Sequence, residues 1–180
     1  MKLDQPGTKT GIPVKRLKLR MQWHSPVDFD LAALYLNKNA DYGLIYFADL
    51  GDVDSPPYMQ LSDDDGVGGL SETQTLKEEI LEISRLDEID KIWIFCWDYE
   101  QLKKGLDARF TGSDIHLEVS ASHGHWVSIP IQIEHNGNIV CIAVIDNTEH
   151  TQRDAQLINY NQISKLQSLD SISQLIELVT

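Results

Sequence analysis

Asp63, Asp64, Asp65 and Gly66, followed by Glu72, sit in the stretch of this chain best suited to chemistry, LSDDDGVGGLSE at residues 61–72. Laid against the twelve-residue loop that wraps calcium, Asp63 falls at position three, Asp65 at five, Gly66 at six and Glu72 at twelve. Each is the residue type that the loop requires. Position one is Leu61, which cannot coordinate, and Pro56-Pro57 just upstream leaves no room for an entering helix. A true EF-hand is therefore not expected. What remains is carboxylates spaced by two, a glycine for a sharp turn, and a distal glutamate for bidentate capture.

The missing ligands must come from another segment, and Asp28 and Asp30 are the natural donors. On a strand, residues i and i+2 share a face and stand about 6.5–7 Å apart. Two carboxylates on one face of an otherwise apolar segment repel unless a cation lies beside them. Calcium takes six to eight oxygens, so Asp28, Asp30, Asp63, Asp65 and Glu72 together could satisfy it. Neither segment holds cysteine or histidine, which disfavours zinc, while magnesium usually keeps more water. The plain alternative is a solvated acidic turn beside an edge strand with a wet face. Ala32, Leu34 and Leu36 continue the aspartates' face and argue for burial.

The elements that must position these acids read mainly as strands. Leu17, Leu19, Met21 and Trp23 alternate with polar residues, and VDFDLAALYL (27–36) puts Val27, Phe29, Leu31, Ala33 and Tyr35 opposite the two aspartates. Short strands are also expected over 43–48, 80–84, 91–97, 115–119, 126–133 and 138–145. Turn-forming clusters separate them, and Asn136-Gly137 signals a hairpin between the last two. This is the pattern of an all-β sandwich of two mostly antiparallel sheets. Residues 98–112 suit one helical turn or a loop. Beyond Asp146 apolar residues recur at spacings of three and four, from Leu157 to Val179, which predicts one or two amphipathic helices with Ser171 capping the last. The expected organisation is a calcium-binding sandwich over 1–147 and a helical tail over 148–180, packed on the domain or docking a partner.

Composition bounds the partners. The chain has 180 residues, of which 28 are acidic and 15 basic, giving a net charge of −13. Such a chain repels phosphate backbones, so nucleic acid is not expected as a partner. Two cysteines fit a reducing cytoplasm rather than a disulfide scaffold. No apolar run is long enough to span a membrane, and the polar N-terminal residues have no signal-peptide character, so direct membrane insertion is not expected.

Four segments, in order, resemble the tellurium-resistance stress proteins, the TerD/TerA-like family. VDFDLAALYL is similar to the family's "DLDxxAFLL" strand, with Trp23 ahead of it. SDDDGVGG followed by Glu72 resembles its acidic, glycine-rich loop. ISRLDEIDKIWIFCW is similar to its "LSxVPxxVDKIVFVV" segment, and IEHNGNIVCIAVIDN to its closing hairpin. The resemblance covers about residues 13–147. It implies a calcium-binding β-sandwich without established catalysis, associated with tellurite and general stress resistance and with multiprotein complexes. By position it matches Asp28 and Asp30 to the strand aspartates and Asp64 and Asp65 to an Asp-Asn pair, whereas spacing selects Asp63 and Asp65. Glu72, or else Glu78 and Glu79, matches the later acids. The loop is shorter than is typical, and the helical tail has no counterpart in the minimal domain.

The expected metal ligands are thus Asp28, Asp30, Asp63, Asp64, Asp65 and Glu72, the cofactor is calcium, and the function is that of a non-enzymatic, cytoplasmic scaffold with protein partners. The competing reading is a metal-dependent hydrolase using the same carboxylates, and no Ser-His-Asp pattern or nucleophile elbow accompanies them. Asp98, which ends an apolar strand, reads as a further ligand or as a turn residue. Paired with Asp28 it could serve a glycosidase, which nothing else supports. His116, His123 and His125 read as turn and strand residues, and Cys96 and Cys141 as buried thiols.

Overall fold

A computed structural model describes residues 1–63, 76–122, 124, 126–133, 135–149 and 154–180. Twelve strands run β1 (Lys9–Pro13), β2 (Lys15–Trp23), β3 (Phe29–Asn37), β4 (Tyr42–Ile45), β5 (Gly51–Asp52), β6 (Met59–Leu61), β7 (Lys77–Arg85), β8 (Ile89–Asp98), β9 (His116–Ala121), β10 (Trp126–Pro130), β11 (Ile139–Asp146) and β12 (Asp154–Ser164). Two short helices, α1 (Tyr99–Lys103) and α2 (Ile172–Val179), complete the described elements. The strands form two antiparallel six-stranded sheets, ordered β1-β12-β11-β8-β3-β4 and β10-β9-β2-β7-β6-β5. This is the expected all-β sandwich.

The alternation read from the sequence sets the layers. Leu17, Leu19, Met21 and Trp23 of β2 meet Phe29, Leu31 and Ala33 of β3 in the core between the sheets. The opposite face of β3 carries Ala32 and Leu34 into a second apolar cluster on the outer side of its sheet, with Trp93, Phe95 and Trp97 of β8. Helix α2 covers this cluster with the fully buried Leu175. That sheet is buried on both faces, so β8 and β11 read as unbroken apolar runs.

Two expectations fail, each for its own reason. Residues 154–164 are not helical: β12 pairs with β11 and β1 and lies inside the sheet. Ala155, Leu157 and Asn159 point inward at period two, while Ile158 and Tyr160 meet the outer cluster. A strand with apolar residues on both faces shows spacings of three and four that imitate a helix. Asn159, wholly buried, breaks the apolar pattern further; its side-chain amide donates to Leu3 O at 2.8 Å. The sequence's helix signal holds only for α2, which Ser171 does precede as N-cap.

Asn136-Gly137 does not close a hairpin. β10 pairs with β9, and β11 pairs with β8 and β12, so this turn carries the chain from one sheet to the other. Gly137 is needed for close approach: a Cβ there would stand 2.6 Å from Ser164 O and from the Ile163 side chain.

Candidate functional site

Asp30 is central in placement and nearly sealed from solvent, at 3% exposure. It sits in β3 directly opposite Trp97 of β8, whose indole N–H donates to Asp30 Oδ2 at 2.9 Å. Asp28 lies two residues earlier on the same face, half-buried where the chain enters β3, and its carbonyl accepts from the Tyr99 N–H at 3.1 Å. Burying a carboxylate costs several kcal/mol unless hydrogen bonds or a cation offset it. The sandwich has thus retained an acid where its strand pattern would take an apolar residue.

Glu79 of β7, in the other sheet, is 2% exposed and reaches across to β3, where its Oε2 accepts the Leu31 N–H at 2.6 Å. The reason lies in strand length. β4 pairs with β3 only between Ala33 and Leu36, so the backbone at Leu31 lies past the end of its neighbour. A carboxylate from the facing sheet satisfies it instead. Glu79 therefore joins the two sheets at Leu31, the residue after Asp30. Sequence reasoning had placed Glu79 only as a secondary match to the family's later acids; a contact across the sandwich leaves no local signal.

Asp63 is exposed just beyond β6. Ser62 N–H donates to Ile80 O at 2.8 Å, and Ile80 N–H to Ser62 Oγ at 2.9 Å, which extends the β6–β7 ladder by one residue and leaves Asp63 next in line to Glu79. Asp64, Asp65 and Glu72 lie outside the described residues. The chain resumes at Leu76, and Lys77 pairs with Trp23 while its Nζ reaches Pro26 O at 3.4 Å. Lys77 is thus held next to the β2–β3 connection that carries Asp28. Among the described residues, no group of three or more His, Cys, Asp or Glu side chains is arranged to hold a metal ion. Asp28, Asp30 and Asp63 share one end of the sandwich without forming a cage by themselves. Leu61, the first position of the EF-hand comparison, is a core residue of β6.

Asp98 has a different role. Its side chain is wholly buried at the N-cap of α1, where Gln101 N–H and Arg109 N–H donate to it. Arg109 closes a fork on it, with Nε and Nη2 each 2.8 Å from a carboxylate oxygen. Asp98 and Glu100 hold the Arg109 guanidinium's pKa above its ordinary value, with burial opposing them. Of the two readings left open by the sequence, the turn residue fits, since the fork and two backbone donors occupy this carboxylate. Removing Arg109 should cost less than the roughly 3–5 kcal/mol of breaking a fully buried pair, because its own side chain is 42% exposed. We expect Arg109→Ala to lower unfolding free energy by about 2 kcal/mol in urea titrations, and Asp98→Asn/Arg109→Ala to recover part of it.

Other acidic and thiol groups complete the picture. His24, at the end of β2, pairs through Nδ1 with Asp114, and its backbone N–H donates to the same carboxylate at 2.8 Å. Burial pushes the Asp114 pKa up, but these bonds more than offset it and hold it below the usual range. His116 of β9 faces Glu118 at 3.6 Å, while His123 and His125 lie outside the described residues. Cys96 and Cys141 are buried on adjacent strands, yet Cys96 faces the inter-sheet core and Cys141 the outer cluster. They cannot pair across one face. The Cys96 thiol pKa is pushed well up by burial, then by Glu79, Asp30 and Asp98, so the field of the buried acids converges on this end of β8.

Solved structures share this fold. The chain aligns with the protein SAV2460, of unknown function, at a TM-score of 0.56 and 12% identity, covering 85% of this chain and 94% of that one. It aligns with SCO6318 from Streptomyces coelicolor A3(2), a homologue of telluride resistance protein (TerD), at a TM-score of 0.54 and 13% identity, covering 91% of this chain and 95% of that one. No family model and no curated protein matches the sequence.

Proposed function

We propose that this chain is a calcium-binding β-sandwich that works without catalysis, as a cytoplasmic interaction module in tellurium resistance and the wider stress response. The observation that supports this most is the placement of the acids. Asp30 is buried in β3, Glu79 is buried in β7 and bonds the next residue of β3, Leu31, and Asp63 follows β6, which pairs with β7. The donors are all oxygens, the set that calcium prefers. Asp28, Asp30, Asp63, Asp64, Asp65 and Glu72 would hold the ion, which would neutralise their charge and tie segment 61–72 to β3. The fold shared with a telluride-resistance homologue agrees with this reading. Among the described residues no helix is long and apolar enough to cross a membrane, in keeping with action through protein partners.

Calorimetric titration of chelator-treated protein tests the proposal, with magnesium as control. We expect saturable calcium binding, weakened at least about tenfold in Asp28→Ala and Asp65→Ala while the apo fold persists. Equal affinity in wild type and both variants would remove these residues from the site. No binding at millimolar calcium would leave the fold without this function.

A further inference from the structure

On the outer face of the sheet that carries Asp30, the chain just after β4, helix α1 and the entry to α2 enclose a cleft of about 340 Å³. That volume falls within the roughly 300–1,000 Å³ of small-molecule pockets. Its wall is aromatic: Tyr46, Phe47, Trp97 and Tyr99 line it, with leucine and isoleucine side chains between them. The Tyr46 and Phe47 ring centroids are 5.2 Å apart with planes at 70°, and those of Phe47 and Tyr99 are 5.8 Å apart at 82°. Successive near-right angles make three rings into adjoining walls rather than a stack. Phe47 stays 48% exposed in this arrangement.

The charges on the cleft indicate what such walls would take. Lys103 Nζ already lies over the Tyr99 ring, 4.7 Å from its centroid, so this ring face holds an ammonium within the chain itself. Lys103 is exposed and its stem is free to turn outward. Asp170 is the acid in the described lining, and its Oδ2 accepts from Ser168 Oγ. Beside it, Gln174 Oε1 accepts the Asp170 and Ser171 N–H groups at 2.7 and 3.0 Å, which fixes the backbone that carries Asp170. A net charge of −13 further favours cations near this surface.

We propose that the cleft binds an organic cation of the alkylated-ammonium class, its charge held against the aromatic walls and Asp170, with Lys103 as the internal cation that it displaces. An amide NMR titration of the full chain with choline tests this, with the Trp97 indole N–H as local reporter. The controls are the neutral isostere, in which carbon replaces the quaternary nitrogen, and benzoate as an anion. Choline should shift the Trp97 resonance saturably with a millimolar dissociation constant, and the isostere should bind at least about fivefold more weakly. Phe47→Ala, at an exposed position, and Asp170→Asn should each weaken choline about fivefold, whereas Lys103→Ala should tighten it about twofold or more. Equal binding of the isostere overturns the proposal. So does weaker binding in Lys103→Ala, preference for benzoate, or no shift up to about 50 mM choline.

Discussion

Calcium at about a thousandfold excess over its dissociation constant should raise the unfolding free energy by about 4 kcal/mol. For a chain of this length that corresponds to a rise in melting temperature of roughly 10 °C. The gain follows from mass action, because the proposed ligands are scattered in the unfolded chain and do not hold the ion there. Asp30→Asn separates this gain from ordinary packing. The amide keeps an oxygen to accept the Trp97 indole N–H, so apo stability should change by no more than about 1 kcal/mol. A neutral amide oxygen replaces an anionic ligand, and the calcium-dependent increment should fall below about 1 kcal/mol. Thermal unfolding followed by circular dichroism, in chelator and in excess calcium, reads both quantities. An undiminished increment in Asp30→Asn would show that calcium stabilises the chain from another site.

The split between what the sequence reveals and what it hides follows the range of each interaction. Strand β3 was legible because its two faces differ within ten residues: Phe29, Leu31 and Ala33 inward, Asp28, Asp30, Ala32 and Leu34 outward. The sandwich followed from several such strands and their turns. β12 was not legible, because a strand covered on both faces loses its period of two, and a buried asparagine at 159 interrupts the rest. The connection through Asn136-Gly137 has hairpin chemistry, yet the partners of β10 and β11 are chosen by packing far along the chain. Glu79 acts across the sandwich on a backbone N–H that is exposed by the shortness of β4, a condition that no local pattern encodes. Asp98 was ambiguous for the opposite reason: its partner Arg109 lies only eleven residues on, but in a stretch without periodicity.

Raising the pH above about 8.5 should destabilise the chain steeply, through its two thiols. Burial first, then the charges of Glu79, Asp30 and Asp98, push the Cys96 pKa well above its ordinary value. Burial also pushes the Cys141 pKa up, against hydrogen bonds to the backbone at Ala143 and Ile94. A thiol with a higher pKa in the folded state keeps its proton there after the unfolded chain has released it. The stability it contributes is therefore whole below the unfolded value and is lost as pH rises through the window above it. By pH 10 the loss is about 2 kcal/mol for Cys141, and Cys96 adds to it in the same direction. Tyr35 and Tyr160, whose pKa values burial also raises, add to the slope from about pH 10 upward. Urea titrations between pH 7 and 10 should show this decline, and Cys96→Ala and Cys141→Ala should each remove part of it whatever they cost at pH 7. A slope unchanged in both variants would refute the assignment. Calcium bound at Asp30 would cancel part of the field on Cys96, but burial is the larger cause, so the decline should persist with the ion present.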